Sequence, residues 1–146
     1  DDLSLSRYGD YLALADYYTP NHQEAQKITG QPTPEKALEA LAPYLRAPLV
    51  KVGDRGCLVM EEGQITQVPT LPLEGPVVDT TGAGDAFIAG LMYGLYHDAP
   101  LTRCVALGNI MGGVCVQHVG CLTGRITAGE LETKAQRILD SMEGKA

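Results

Sequence analysis

Nine consecutive residues, Asp79-Thr80-Thr81-Gly82-Ala83-Gly84-Asp85-Ala86-Phe87, hold the residue types that phosphate chemistry needs. A short apolar lead, Val77-Val78, reads as a strand feeding a glycine turn that opens directly into an apolar helix. The first amides of a helix have no carbonyl to bond, and the helix dipole adds partial positive charge, so such a turn suits an anion. Glycines at positions 82 and 84 let the backbone come close to a ligand. Two familiar phosphate loops do not fit. A Walker A loop places a lysine after its last glycine, and none follows here. A dinucleotide fingerprint needs a small residue at position 87, where Phe87 stands. The residue that decides is Asp85. A carboxylate in an anion hole repels a bound phosphate, so it serves simple binding poorly. It serves catalysis well if it takes the proton from a hydroxyl that attacks a phosphate held by those amides. A helix-capping aspartate after a glycine turn is the alternative for Gly-Ala-Gly-Asp alone; the whole nine-residue string is more specific.

The elements that must position this turn can be read outward from it. Downstream, Ala86–Tyr96 is apolar on nearly every side, which predicts a buried helix. A second long helix is predicted over Leu101–His118, and an amphipathic one from Ala128 to about Met142, capped by Thr127 with Glu130 at the capping-box position. Gly90-x-x-x-Gly94 and Gly108-x-x-x-Gly112 lie in stretches too short to span a bilayer, so they predict close packing in a core. Upstream, Leu49–Val52, Cys57–Met60 and Ile65–Val68 are short β-type runs separated by the turns Gly53–Gly56 and Glu62-Gly63, which predicts locally antiparallel strands. Glu35 to about Leu45 reads as a helix with Ala37, Leu38, Leu41 and Ala42 on one face. Before it, Asp16–Thr19 reads as a short strand halted by Pro20; Asn21 and Glu24 then form a capping box for a helix ending at Gly30.

Composition narrows the function class. The chain of 146 residues has 18 acidic and 11 basic side chains, a net charge of −7. A nucleic-acid binder needs a clustered cationic face, and these basic residues are scattered, so neither nucleic acid nor an anionic membrane is an expected partner. The cysteines Cys57, Cys104, Cys115 and Cys121 have no metal-ligand or C-x-x-C spacing and are expected to be buried or half-buried free thiols of a reducing compartment. With no basic-plus-apolar leader at the start and no membrane-length apolar run, a cytoplasmic location is expected.

The string DTTGAGDAF resembles the C-terminal signature of the PfkB (ribokinase-like) family of sugar and nucleoside kinases. Further likenesses cover essentially the whole chain from about Ala15. The resemblance implies an α/β fold: the C-terminal half of a ribokinase-like three-layer α/β/α sandwich, with locally antiparallel edge strands and C-terminal helices, residues 1–146 forming one partial domain. It implies ATP and Mg²⁺ as cofactors. Asp85 would be the general base, and the amides of Gly82, Ala83 and Gly84 the anion hole. TPNHQEA resembles the family's PN-x-x-E-A element, so Asn21 and Glu24 would serve Mg²⁺ through water. VKVGDRG resembles a nucleotide-contacting strand and turn, which places Lys51, Gly53 and Arg55 near the nucleotide; Lys51 stands where relatives often carry a small hydroxyl residue. ALGNIMGGVCVQHVG resembles the helix lining the adenine pocket, with Asn109 the matching asparagine. Asp79 and Thr81 match residues that hold a monovalent cation, K⁺, helped by carbonyls around Gly120; Gly124 stands where some relatives place a serine.

Relatives carry a first half with the lid and acceptor-binding residues, which this sequence lacks. The expected acceptor is a small sugar, since Ala83 matches the sugar branch where pyridoxal-type kinases often have threonine. A nucleoside acceptor from the same superfamily and a non-catalytic nucleotide-binding or assembly fragment are the alternatives. The chain alone is expected to be inactive, and either to associate as a homo-oligomer or to be complemented by the missing half or a second chain.

Overall fold

The computed structural model describes residues 4–144, which divide into two compact units after Gln67. In the first, α1 (Leu5–Leu12) precedes α2 (His22–Thr29) and α3 (Pro34–Leu41), and three strands follow: β1 (Leu49–Lys51), β2 (Cys57–Glu61) and β3 (Gln64–Val68). The expected capping box starts α2: Asn21 Oδ1 accepts from the Glu24 amide at 2.9 Å, and Glu24 Oε2 accepts from the Asn21 amide at 2.8 Å. Gly30 ends the helix with a left-handed φ of 69°. Helix α3 starts one residue earlier than expected, with Pro34 at a position where a missing N–H costs nothing, and stops earlier, at Leu41. Pro43 cannot donate within an α-helix, so the chain tightens into a 3₁₀ turn over Ala42–Tyr44.

The strands lie in the order β1-β2-β3, with β1 and β2 antiparallel in the register Val50 opposite Leu58. Positive φ at both Glu62 and Gly63, 51° and 78°, gives the turn that matches strand twist between β2 and β3. Helices α2 and α3 bury Ala25, Leu38 and Leu41 against Val50, Val52 and Leu58. The strand expected over Asp16–Thr19 does not form. Its segment leads to a parallel bridge of Asn21 with Lys51 of β1 and to the bond from the Lys51 amide to Pro20 O, 2.9 Å. Pro20 lacks the N–H that would carry a ladder further.

The second unit is built on α4 (Ala83–Tyr96), α5 (Leu101–Val116) and α6 (Ala128–Glu143). Helices α4 and α5 form an antiparallel hairpin, and the expected glycine packing is real. Gly90 lies on the Leu107–Gly108 backbone, Gly94 on Cys104, and Gly108 on Phe87. Helix α6 carries its expected capping box, the Glu130 amide bonding Thr127 Oγ1 and Glu130 Oε2 accepting from the Thr127 amide. Three expectations fail. Val77-Val78 is not a strand: both side chains are exposed, and the amides of Val78 and Asp79 donate to Val116 O at the end of α5 (2.8 and 3.2 Å) rather than to a neighbouring strand. Helix α4 is not buried all round; Phe87, Gly90, Leu91 and Gly94 face inward, whereas Ile88, Met92 and Tyr96 are exposed. Of the thiols, all free, Cys57, Cys104 and Cys115 are buried but Cys121 is exposed. No helix among the described residues is long and apolar enough to cross a membrane.

Candidate active site

The glycine turn sits where α4 begins, and its conformation is fixed by neighbours distant in sequence. Gly82 is the N-cap, with φ 80° and ψ 0°. A Cβ there would stand 2.1 Å from Cys121 Cβ and 2.9 Å from its Cα, so both the dihedral and the space require glycine. Asp79 ties the turn on both sides: Oδ1 accepts from the Thr81 amide and Oδ2 from the Gly120 amide, each at 2.9 Å. Hydrogen bonds from Thr81, its amide foremost, and then from Gly120 hold the Asp79 carboxyl below its ordinary range. The Cys115 thiol donates to Thr81 O at 3.4 Å. Burial, followed by the nearby Cys121, Asp79 and Asp85, raises the Cys115 pKa and keeps that donor protonated.

Of the three amides assigned to the anion hole, that of Ala83 donates to Thr80 O at 3.2 Å and closes the turn. Those of Gly82 and Gly84, with that of Asp85, have no acceptor among the described residues. Asp85 is exposed in the first turn of α4, and its carboxylate makes no hydrogen bond among the described residues, so it does not act as a helix cap. The arrangement is a set of unpaired amides at a helix start, with a carboxylate left available beside them.

Asn109 lies in α5, 7% exposed, and its Nδ2 donates to Val68 O at 2.9 Å and Pro69 O at 3.1 Å. It also lines a cleft of about 200 Å³ whose walls include Leu71, Leu73, Ile110 and Val114 and whose rim carries Glu74, Arg125 and Lys134. Apolar walls with a polar rim suit a flat ring system, and Asn109 supports the wall more than it offers donors. Gln117, with Oε1 accepting from the Gly75 amide at 2.6 Å, fastens the cleft's outer loop.

In the first unit, Asn21 and Glu24 stand together through their cap, which engages Asn21 Oδ1 and Glu24 Oε2. Glu24 is exposed, and its Oε1 is left for a water. No group of three His, Cys, Asp or Glu that could hold a metal occurs among the described residues. Glu24 Oε1 is the oxygen of the pair left outside the cap, the chemistry a metal-bound water would need. Lys51 ends β1 beside Asn21. Gly53 and Arg55 bound an exposed 3₁₀ turn, Gly53 with φ 65°, and Arg55 O accepts from Gln67 Nε2 at 2.8 Å. From the sequence, Cys115 and Cys121 are expected only to be free thiols. No spacing pattern marks them as the supports of Thr81 and Gly82.

Comparison with known proteins finds the chain similar to sugar and nucleoside kinases. The sequence model of the pfkB family carbohydrate kinases matches residues 1–128. An uncharacterized sugar kinase of Archaeoglobus fulgidus is 32% identical over 107 residues, covering 73% of this chain and 42% of that protein. Fructokinase from Vibrio cholerae O395, solved with fructose, ADP and calcium ion, superposes with a TM-score of 0.74 at 30% identity, over 86% of this chain and 42% of that one. A Burkholderia thailandensis nucleoside kinase solved with inosine gives 0.73 at 26% identity, over 88% and 42%. The chain belongs to the pfkB family of carbohydrate kinases, and its α/β fold is that of ribokinase-like proteins. It spans about two fifths of the length of the relatives it matches.

Proposed function

We propose that this chain carries the nucleotide- and phosphate-handling part of a kinase that moves the terminal phosphoryl group of ATP onto a hydroxyl of a small sugar. The observation that carries the reading is the glycine turn at the start of α4, where unpaired amides and the exposed, uncapped Asp85 stand side by side. ATP, when bound, supplies the phosphoryl group, and Mg²⁺ offsets its charge. The amides of Gly82 and Gly84 donate to the phosphoryl oxygens as charge builds on them. Ala83 contributes through the turn bond that aims those amides. Asp85 accepts the proton of the attacking hydroxyl, so that the new oxygen–phosphorus bond forms as the bond to the departing ADP breaks. Asn21 and Glu24 hold metal-bound water, and Lys51, Gly53 and Arg55 meet the nucleotide. The cleft beside Asn109 takes the base.

The residues that read the acceptor are supplied by chain beyond this segment or by a second chain, and the segment alone is inactive. The coverage of about two fifths of the Archaeoglobus fulgidus sugar kinase and the Vibrio cholerae fructokinase supports this. A nucleoside acceptor is the second reading, supported by the near-equal structural likeness to the nucleoside kinase solved with inosine. A cytoplasmic location accords with the free thiols. The test is a phosphoryl-transfer screen of the intact protein that contains this chain, over common sugars and nucleosides with ATP and Mg²⁺. Transfer to a sugar supports the proposal, transfer to nucleosides alone selects the second reading, and transfer to neither refutes both.

A further inference from the structure

We infer that the outward face of α4 is the seam on which the acceptor-binding part of the same kinase docks, and that this docking brings the acceptor to Asp85. What docks rests on the kinase reading above; where it docks rests on the fold alone. A helix has about 3.6 residues per turn, so Asp85, Ile88, Ala89, Met92 and Tyr96 stand on one side of α4. All five are exposed. The opposite side is the buried one, where Phe87, Gly90 and Gly94 meet α5. Met92 keeps 62% of its surface open and Tyr96 84%, on successive turns of one helix. Single exposed apolar residues are ordinary, whereas a contiguous apolar stripe marks a contact surface. Beside the stripe runs a groove of about 490 Å³, whose walls Ala89 shares with Tyr93, Met111, Ile126 and Leu131.

Two observations identify the occupant. The chain spans about two fifths of the Archaeoglobus fulgidus sugar kinase and the Vibrio cholerae fructokinase, so about three fifths of each has no counterpart here. The stripe also starts at Asp85 itself and runs to Tyr96, about 16 Å along the axis at ~1.5 Å per residue. A layer that covers it ends its contact at the carboxylate, where the attacking hydroxyl must be held. A second copy of this chain fits less well. It brings no acceptor-reading residues to Asp85, and a net charge of −7 on each copy opposes self-association.

The test uses the intact protein that contains this chain. Met92→Cys and Tyr96→Cys are treated with a maleimide, beside Glu143→Cys at the exposed end of α6 as the open reference, and labelling is read site by site by peptide mass. Both stripe positions are expected to label roughly tenfold or more slowly than the reference, with no change on dilution. Labelling as fast as the reference overturns the proposal, and so does protection lost on dilution, which would mean that a second copy covers the stripe. Met92→Glu then tests the occupant, with ATP and the sugar or nucleoside that the transfer screen selects. A carboxylate in an apolar seam opposes docking, so the acceptor KM is expected to rise roughly tenfold while the ATP KM stays nearly unchanged. Equal changes in both, or a change in neither, overturn the acceptor-binding part as occupant. A protein with no phosphoryl transfer at all would refute the kinase reading, while the labelling would still decide whether the face is covered.

Discussion

Replacing Gly90 with alanine tests the packing that carries the glycine turn. On a solvent-facing helix this change stabilises by about 1 kcal/mol, because alanine loses less conformational freedom. At Gly90 the new Cβ would lie 2.5 Å from the Leu107 carbonyl oxygen, 2.7 Å from the carbonyl carbon and 2.8 Å from Gly108 Cα. All three are backbone atoms of α5, so no rotamer change relieves the overlap and the helices must separate. Overpacking of this kind costs about 1–3 kcal/mol, and a clash with rigid backbone belongs at the upper end. The net expectation is a loss of about 2 kcal/mol, a fall in melting midpoint of roughly 4–8 °C for a chain of this size. Gly129 provides the control. It lies in the first turn of α6 with no atom within 4 Å of its would-be Cβ, so Gly129→Ala should stabilise by about 0.4–1 kcal/mol. Thermal and urea denaturation followed by circular dichroism read both. Opposite signs are predicted; a Gly90→Ala protein as stable as wild type would show that α4 and α5 are not in backbone contact.

Asn109→Leu should cost about 2–3 kcal/mol in urea denaturation, because it leaves the buried-side carbonyls of Val68 and Pro69 unpaired; a near-neutral result would remove Asn109 as the strut of the cleft. Thr127→Ala should lower stability at neutral pH by about 1 kcal/mol through loss of the α6 cap. The Glu130 carboxyl, held below its ordinary 4.5 chiefly by the Thr127 side chain, stabilises the fold above that value and loses its contribution as pH falls through the lowered folded-state value. The gap between wild type and Thr127→Ala should therefore narrow in acid, and a gap constant with pH would contradict this. Glu24→Gln keeps the cap acceptor but removes the charge, so the Mg²⁺ concentration for half-maximal transfer should rise about 10–100-fold with little change in melting. An unchanged Mg²⁺ requirement would exclude Glu24 from metal binding.

What could be read from the sequence was local. The boxes Asn21/Glu24 and Thr127/Glu130 depend on a spacing of three residues, and both stand as expected. The small-residue spacing at Gly90, Gly94 and Gly108 likewise foretold close helix packing. The strands over Asp16–Thr19 and Val77-Val78 could not be judged this way. An extended apolar pair becomes a strand only when a neighbour takes its amides, and Val116 O takes those of Val78 and Asp79 instead. The apolar run of α4 showed which residues are apolar but not which side the chain covers, hence the exposed Ile88, Met92 and Tyr96. The candidate site divides in the same way. Its glycines and Asp85 were legible as one string. The supports were not, since Asp79 reaches Gly120 across 41 residues and Cys115 reaches Thr81 across 34.

The most direct test of the central claim is the rate of phosphoryl transfer by Asp85→Asn in the intact protein, measured beside its affinity for ATP. Asp85 is exposed and its carboxylate bears no hydrogen bond among the described residues, so the change should leave the fold and nucleotide binding in place. Loss of the base should then slow transfer by about 10²–10⁴-fold at unchanged affinity. Transfer at the wild-type rate would contradict the assignment of Asp85 as base and, with it, the reading of the turn as the seat of chemistry.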